Sequence, residues 1–405
     1  MAEPTNTPVP ASTPRSTSPA PRQTPIIPNF PNFPSMSSPG SPVLPTKLAP
    51  GARPKVLHIG DPVKYNPDTY ALFSAQCDIV RPSAEERERP EFIRALKENR
   101  WGDFHAIFRP FWGTGGEMGL WDSELVDLLP PTVRVFASAG AGFDWADTKL
   151  LGERGIIYCN SGLAAAEAVA DFAVAMIIST FRQLAWCINA AQSDDPADFS
   201  ACHRDATAHA RNLRGSVLGV IGLGNIGQQV ASRCHHGFGM VIHYYDVVRL
   251  PAAVEEPLGG ARRHDSLQSL LAAADCVVLC APATPPGEGD GSGPLIGAKA
   301  LGWFPEGGRF VNVARGSLVD DEAVADALES GRLSSAALDV HTDEPNVHPR
   351  LRELARKGKV MITCHNAGGT VDTHKGFEEL SMRNIMAVLA GGKAITPVNM
   401  RFLKS

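Results

Sequence analysis

Short apolar runs alternate with longer helical stretches along the chain from residue 55 onward. The first series of runs is KVLHIG (55–60), FHAIFRPF (104–111), VRVFASAG (133–140) and GIIYCNS (155–161). Short β-branched runs with little polar alternation are typical of strands buried on both faces of a parallel sheet. Because helical stretches separate the runs, the pattern predicts an α/β domain.

A second series of apolar runs follows after a helical region. Residues 164–192 are apolar nearly all round, which predicts one long buried helix, and residues 193–214 are polar and predicted to be irregular. The later runs are SVLGVIGLG (216–224), MVIHYYD (240–246), DCVVLCAP (275–282), RFVNVARG (309–316), SAALDVH (335–341) and VMITCHNAGG (360–369). A final helix is predicted over 373–392.

The chain order divides the molecule into three parts. Residues 1–52 form a tail rich in Pro, Ser and Thr, residues 53–185 and 371–405 form a first α/β domain, and residues 186–370 form a second one inserted into it. The tail contains 14 of the 33 prolines and is too poor in apolar residues to build a core, so it is predicted to be disordered. An inert extension is favoured over a partner-binding or phosphorylated segment. A mitochondrial targeting segment is disfavoured, because basic residues are few and proline prevents an amphipathic helix.

Composition narrows the functional class. The chain is 43% hydrophobic and 20% charged with a net charge of −5, so no general basic field indicates nucleic acid or an anionic membrane as partner. No apolar run approaches the roughly 18 residues that span a bilayer, and no signal peptide is evident, which favours a cytoplasmic protein. The eight scattered cysteines include no CxxC pair and are interpreted as reduced core residues, with no metal site.

A glycine-rich turn carries the first chemical signal. The stretch VIGLGNIGQQVA (220–231) follows a predicted strand, opens a helix and contains Gly222, Gly224 and Gly227 as GxGxxG, with Leu223, Asn225 and Ile226 between them. In this arrangement the first glycine permits the tight turn, the second admits a pyrophosphate, and the third lets helix and strand pack closely. The helix N-terminus then binds the phosphates.

An acidic residue at the end of the next strand indicates the cofactor. Asp246 lies about 20 residues after the glycine turn, where a carboxylate accepts from the ribose 2′-hydroxyl of NAD and repels a 2′-phosphate. Arg249 follows three residues later and could soften this preference. The prediction is therefore NAD, with NADP less favoured.

Three polar residues follow later strands of the same domain. Arg315 comes after VNVA, Glu344 after LDVHTD and His365 after MITC, so all three lie at carboxyl ends of strands, which line the cofactor crevice of an open sheet. An arginine binds a carboxylate through paired hydrogen bonds, and a histidine paired with a carboxylate can exchange a proton with a carbonyl oxygen. This set suits reduction of a 2-keto acid, although Asp343 competes with Glu344 for the role of partner.

With these residues, the chain resembles the D-isomer-specific 2-hydroxyacid dehydrogenase family. The resemblance rests on GVIGLGNIGQQVA, VNVARGSLVDDEAVADAL, ALDVHTDEP, TCHNAGGT and SAGAGFDWAD, and it covers nearly all of residues 55–400. The N-terminal tail and IHYYDVVRLP suggest the branch that resembles fungal D-mandelate dehydrogenases and glyoxylate/hydroxypyruvate reductases. The family resemblance implies two doubly wound parallel-sheet domains, in which a Rossmann NAD-binding domain is inserted into a smaller flavodoxin-like substrate domain, and a homodimer.

The resemblance also implies roles for individual residues. Arg315 would bind the substrate carboxylate and keto oxygen, His365 would be the acid/base, and Glu344 would be its partner. The backbone amides of Ala141 and Gly142 would meet the carboxylate, and Asp339 would hold the nicotinamide amide. Three further residues would line the cofactor: Ala281, Pro282 and Ala314.

The sequence departs from the family pattern at a few positions. Cys364 replaces the usual proline before the histidine, Asp171 stands where glutamate is common, and the loop at 282–297 is long and glycine-rich, which puts a cofactor contact from Thr284 in doubt. Phe111 and Trp112 could form a wall for an apolar or aromatic substrate side chain, although packing within their own loop is the simpler interpretation.

Other functions remain open at this level. An NAD-sensing interaction protein, like the co-repressors that share the fold, is the main alternative, and turnover would distinguish it from an enzyme. A formate dehydrogenase is disfavoured by the histidine–glutamate pair. A phosphoglycerate dehydrogenase is disfavoured because the chain stops soon after the final helix.

Overall fold

The computed structural model describes residues 52–111, 117–283 and 294–403. The predicted tail, apart from its last residue, lies outside these ranges, as do Trp112 and Thr284. The described residues all belong to one compact unit. They form two parallel sheets with helices on both faces, which confirms the predicted α/β class.

The first sheet has five parallel strands in the order β2-β1-β3-β4-β5. Its strands are β1 (Lys55–His58), β2 (Asp78–Val80), β3 (Ala106–Arg109), β4 (Val135–Ser138) and β5 (Ile157–Cys159). This is the flavodoxin-like strand order, with a crossover helix between most successive strands. Apolar side chains form a separate buried cluster on each face, so every strand is covered on both sides, as continuous apolar runs require.

The second sheet has seven parallel strands in the order β12-β11-β10-β9-β6-β7-β8. Its strands are β6 (Val217–Ile221), β7 (Val241–Tyr245), β8 (Arg262–Arg263), β9 (Cys276–Leu279), β10 (Gly308–Asn312), β11 (Leu333–Leu338) and β12 (Val360–Ile362). The order reverses between β6 and β9, which is the switch point of a Rossmann sheet, where ligands bind beyond the carboxyl ends of the strands.

Fourteen α-helices lie within the described ranges. They are α1 (Pro67–Gln76), α2 (Arg89–Lys97), α3 (Ser123–Val126), α4 (Thr148–Glu153), α5 (Gly162–Arg182), α6 (Leu184–Gln192), α7 (Pro196–His209), α8 (Asn225–Phe238), α9 (Ala252–Glu255), α10 (Leu267–Ala273), α11 (Ala298–Leu301), α12 (Asp321–Glu329), α13 (Pro349–Arg356) and α14 (Val371–Leu389).

Helix α5 joins the two sheets. It packs on α8 and on strands β10 and β11 of the second sheet, and also on α14, which in turn covers β3 and β4 of the first. Gly376 makes the α5–α14 contact possible, because a Cβ at this position would stand 2.5 Å from the Cβ of Ala164. The final helix therefore returns to the first sheet as predicted, whereas the domain boundaries at 185 and 370 stay predictions.

The same helix corrects the expectation about membrane-spanning runs. By length and composition alone, α5 is apolar enough to cross a bilayer, although half of its most apolar window is buried inside the protein. Its buried residues, among them Ala170, Ala173 and Met176, belong to the core it shares with α8 and the second sheet. We therefore interpret its hydrophobicity as that of an interior helix.

Two helix predictions between the sheets were wrong. The single helix expected over 164–192 is broken at Gln183, which has a left-handed φ of 56° and separates α5 from α6. Apolar periodicity continues across the break, and no Gly or Pro marks it. The region expected to be irregular contains α7, in which Cys202 is the only buried residue, so the helix leaves almost no hydrophobic pattern. The Asp195-Pro196 cap signal would have located its start.

Candidate active site

Arg315 lies just beyond the end of β10, in the cleft between the two sheets. Its Nε donates a 3.0 Å hydrogen bond to Asp144 Oδ1, which follows β4 of the first sheet. Its Nη1 donates to the Ala314 carbonyl oxygen at 2.8 Å. The guanidinium lies directly against Gly142, because a Cβ built there would stand 1.5 Å from Arg315 Nη2. Arg315, which follows a strand of the second sheet, thus packs against the loop of Gly142 and Asp144, which follows a strand of the first sheet.

Unused backbone donors lie next to this guanidinium. Within the described ranges, the N–H groups of Ala141 and Gly142 donate to no other group. The carbonyl oxygen of Ala141 accepts from Asn160 Nδ2 at 2.8 Å, which fixes the orientation of the loop. Free N–H groups beside a guanidinium form a site with the charge and geometry to bind a carboxylate. The structure therefore brings together the three residues predicted to bind substrate.

His365 and Glu344 form the predicted pair. His365 Nδ1 and Glu344 Oε2 are 2.8 Å apart, with both side chains partly exposed. Glu344 Oε1 also accepts from the His341 N–H at 2.9 Å, so the carboxylate is fixed at both oxygens. Since a carboxylate accepts, the hydrogen bond places a proton on Nδ1 and leaves Nε2 for the proton exchanged with a ligand. Asp343 does not compete, because its carboxylate and carbonyl meet Asn346 instead.

The loop that carries His365 is fastened by Asp339. His365 has a left-handed φ of 52°, which is costly for a residue other than glycine. Its N–H donates to the Asp339 carbonyl oxygen at 2.7 Å. The Asp339 carboxylate, which is buried, accepts from Thr363 Oγ1 and from the N–H groups of Asn366 and Ala367 at 2.7 to 2.9 Å. Contact with nicotinamide stays a prediction for Asp339, and holding this loop is an additional role that the structure assigns to it.

Each glycine of the phosphate-binding turn has a distinct environment. Gly222 has a φ of +86°, and a Cβ there would stand 2.7 Å from the backbone of Ala281. At Gly227 a Cβ would stand 2.2 Å from the Gly222 carbonyl oxygen, so helix and strand could not pack. At Gly224, the N-cap of α8, a Cβ would meet nothing within 4 Å. The first and third glycines are thus required by the fold, whereas the second faces open space at a helix N-terminus.

Asp246 stands beside this turn, as predicted. Its Oδ2 accepts from the Leu223 N–H at 2.9 Å, and its Oδ1 accepts from the Val248 N–H at 3.0 Å. These bonds tie the end of β7 to the glycine turn and leave lone pairs on both oxygens for a ribose hydroxyl. Arg249 is exposed and forms no ion pair in the ranges that the structure describes.

The remaining predicted cofactor residues lie around the same crevice. Asn225 and Ile226 form the first turn of α8, and Ala281 and Pro282 follow β9 beside Gly222. Ala314, which precedes Arg315, is buried. The residues present thus fit a dinucleotide: a glycine turn, an accessible helix N-terminus and a carboxylate at the end of the neighbouring strand.

Sequence reasoning missed three residues that position Arg315. Asp144 binds the guanidinium and lies two residues after Gly142 in the same loop. Asn312 stabilises the turn after β10. Its Oδ1 accepts from the Ala314 N–H and its Nδ2 donates to the Arg315 carbonyl oxygen. Gly316 allows close contact with the loop of Glu344, because a Cβ there would stand 1.9 Å from the His341 carbonyl oxygen. For Gly316, its position directly after Arg315 in the sequence could have indicated a close backbone contact.

The structure also describes two positions at which the sequence departs from the family pattern, Cys364 and Asp171. Cys364 is exposed, so the interpretation of all cysteines as core residues was wrong at this position. Asp171 on α5 accepts a 2.6 Å hydrogen bond from Arg233 Nε on α8, so the shorter acidic residue still forms an ion pair between the helices.

Comparison with known sequences decides the family. The family model described as D-isomer specific 2-hydroxyacid dehydrogenase, NAD binding domain, matches residues 174–367. The 4-methyl-2-oxopentanoate reductase A of Aspergillus oryzae is 32% identical over 310 residues, which are 76% of this chain and 88% of that protein. The chain belongs to the D-isomer-specific 2-hydroxyacid dehydrogenase family. The predicted family is confirmed, and with it an oxidoreductase that has an NAD-binding domain and acts on small 2-keto or 2-hydroxy acids.

Solved structures confirm the predicted branch of the family. The D-mandelate dehydrogenase of Rhodotorula graminis is 38% identical, with a TM-score of 0.78 over 86% of this chain and 98% of that chain. The NADPH-dependent glyoxylate/hydroxypyruvate reductase of Sinorhizobium meliloti, in complex with NADP and malonate, is 26% identical, with a TM-score of 0.63 over 87% of this chain and 99% of that one. Members of the family thus differ in nucleotide.

The environments of the two glycines predict that one substitution lowers thermal stability and that the matched one weakens NADH binding. Gly222→Ala should lower the melting temperature by several degrees, because alanine is strained at that φ and meets the Ala281 backbone. Gly224→Ala should leave the melting temperature unchanged but weaken NADH binding at least about tenfold, because the added methyl occupies the approach of the pyrophosphate. Thermal unfolding and fluorescence titration with NADH measure the two effects. Unchanged NADH affinity in Gly224→Ala would contradict phosphate binding at this turn.

Proposed function

We propose that this protein reduces a 2-keto acid to the D-2-hydroxy acid with NADH, and catalyses the reverse reaction with NAD. The observation that carries the proposal is the contact of Arg315 with the loop that holds the unused N–H groups of Ala141 and Gly142. An anion site formed by loops of both sheets, together with the His365–Glu344 pair after a strand of the second sheet, supports this reaction.

Arg315 holds the substrate by its charge. Its Nε is engaged by Asp144 and its Nη1 by the Ala314 carbonyl oxygen, so its position is set before substrate arrives. Nη2 is the guanidinium nitrogen that lies against Gly142, whose N–H donates to no other group in the described ranges. A carboxylate between them accepts from the guanidinium and from the Ala141 and Gly142 N–H groups. This contact orients the neighbouring keto carbon and lowers the entropic cost of the reaction.

His365 supplies and accepts the proton. Glu344 holds Nδ1, so Nε2 is the ring nitrogen that exchanges a proton with the substrate. In the reducing direction, Nε2 donates its proton to the keto oxygen, which becomes the hydroxyl. In the oxidising direction, Nε2 accepts the hydroxyl proton. Bound NADH supplies the hydride, and the residues proposed to hold it are those of the glycine turn, Asp246 and Asp339.

We infer that NAD is preferred to NADP. Asp246 is fixed by two backbone N–H groups beside the glycine turn, where its charge would repel a 2′-phosphate. Arg249 is the residue through which NADP could still bind.

A substrate with an apolar side chain is favoured. The Rhodotorula and Aspergillus relatives are named for mandelate and for 4-methyl-2-oxopentanoate. In this chain Phe111, just after β3, is 45% exposed and its ring lies 4.4 Å from that of His374, near the start of α14. A half-exposed aromatic ring at the carboxyl end of a strand supports the predicted apolar wall.

The first test is turnover by the full chain. NADH oxidation is measured with phenylglyoxylate, 4-methyl-2-oxopentanoate, glyoxylate and hydroxypyruvate, and the product is resolved by chiral chromatography. We expect kcat/KM to be highest for one of the two apolar acids, the product to be the D enantiomer, and NADH to be preferred to NADPH. NADH binding without turnover of any acid would contradict the proposal and favour the NAD-sensing alternative.

The acid/base assignment makes a separate prediction. His365→Ala should lower kcat by roughly 10²–10⁴ while NADH affinity is retained, because only the proton transfer is lost. Glu344→Gln should cause a smaller loss, since the neutral amide still orients the ring. Asp343→Asn is the matched control and should behave like the wild type, because Asp343 does not contact His365. Steady-state kinetics of the three variants test the assignment, which fails if His365→Ala retains a near-normal kcat.

A further inference from the structure

Two cysteines outside the active site face each other across a helical hairpin. Cys187 lies on α6 and Cys202 on α7, and their Sγ atoms are 3.8 Å apart. Both thiols are reduced in this structure. Formation of a bond of about 2.05 Å would require the sulfur atoms to approach by less than 2 Å. Neither residue has a part in the proposed reaction.

The hairpin can accommodate that approach. Helix α7 packs chiefly against α6, and Cys202 is its only buried residue, so few contacts resist a small shift of α7. The opposite helix is better anchored, because Asn189 Nδ2 donates to the Ala355 carbonyl oxygen at 2.6 Å and the backbone of Trp186 lies against Gly358. One sparsely packed helix and one better anchored helix, each with a thiol at the contact, form a geometry suited to a closing disulfide.

We propose that Cys187 and Cys202 form an oxidation-sensitive dithiol that closes to an intramolecular disulfide and fastens α7 to α6. The oxidant is a hydroperoxide, either hydrogen peroxide or an organic one. Reduction by a dithiol reopens the bond. The hairpin thereby becomes a site of reversible covalent modification, separate from the catalytic cleft.

The reaction proceeds in two balanced steps. Cys187, the more exposed of the two, attacks the terminal peroxide oxygen, so that an S–O bond forms, the O–O bond breaks, and the alcohol or water leaves with the thiol proton. Cys202 Sγ then attacks Cys187 Sγ, the S–S bond forms, and the hydroxyl leaves with the Cys202 proton as water. Burial, together with the hydrogen bond to Cys187, raises the pKa of Cys202 to about 11, so Cys202 is not the thiol expected to attack the peroxide.

The sequence allows a direct mass-spectrometric test. Trypsin cleaves after Arg182 and Arg204 and nowhere between them, so both cysteines lie on one peptide, 183–204. The full chain is treated with a few equivalents of hydrogen peroxide, alkylated and digested. We expect this peptide to lose two hydrogen atoms and to take up no alkylating agent, and dithiothreitol to restore two alkylated thiols.

Variants separate this site from oxidation elsewhere. Cys202→Ser should leave Cys187 as a sulfenic acid that dimedone traps, and Cys187→Ser should abolish the modified peptide. Cys364→Ser is the control, because Cys364 is exposed and distant in sequence, and this variant should still form the disulfide. The proposal is overturned if wild-type Cys187 accumulates as a sulfenic or sulfinic acid without a disulfide. It is also overturned if both thiols stay free while Cys364 is oxidised.

The fastening of α7 has its own readout in the wild-type protein. Hydrogen–deuterium exchange across Pro196–His209 should slow several-fold in the oxidised form, because opening of the helix then requires both ends of a closed loop to move together. Exchange over β10, which has no contact with the hairpin cysteines, should not change. Equal exchange of α7 in the two forms would overturn the fastening.

Discussion

The candidate active site depends on one cation held between two sheets. A guanidinium at the end of a buried strand is costly unless anions or acceptors meet it. Asp144 and the Ala314 carbonyl oxygen satisfy part of Arg315, and Gly142 lets the rest of the group lie against the neighbouring loop. The N–H groups of Ala141 and Gly142, in that loop, donate to no other group in the described ranges. The resulting excess of donors is the basis for proposing an anionic ligand there, at a site formed by loops of both sheets.

The other site residues are arranged around that cation by backbone contacts. Gly316 packs the loop after Arg315 against the backbone of His341, whose N–H donates to Glu344. Glu344 holds His365, and Asp339 accepts four hydrogen bonds from the His365 loop, one from the Thr363 hydroxyl and three from the N–H groups of residues 365–367. The His365–Glu344 pair and the Arg315 loop are therefore linked by short contacts through the backbone of His341. Such support is what keeps reacting groups within the narrow tolerance that catalysis requires.

Sequence reasoning identified the sheets and the candidate site residues for the same reason. Continuous apolar strands, the glycine turn and polar residues at strand ends are local signals, and parallel topology brings those ends together. Gln183 and α7 were missed because a left-handed break at a non-glycine residue and a helix with one buried side chain leave almost no hydrophobic pattern. Asp144 and Asn312 were missed because their partners are Arg315 and its loop, and such pairings emerge only when the chain is folded. The choice between Glu344 and Asp343 likewise needed the geometry.

The most direct test of this account is the affinity of oxamate, a stable analogue of a 2-keto acid, for the enzyme–NADH complex. Quenching of the fluorescence of bound NADH measures it in the wild type and in Arg315→Lys. The account predicts that the lysine variant binds NADH normally but loses oxamate affinity by on the order of 100-fold, because a point charge cannot reproduce the guanidinium beside Gly142. Equal oxamate affinity in the two proteins would contradict it, and would mean that the carboxylate is bound elsewhere.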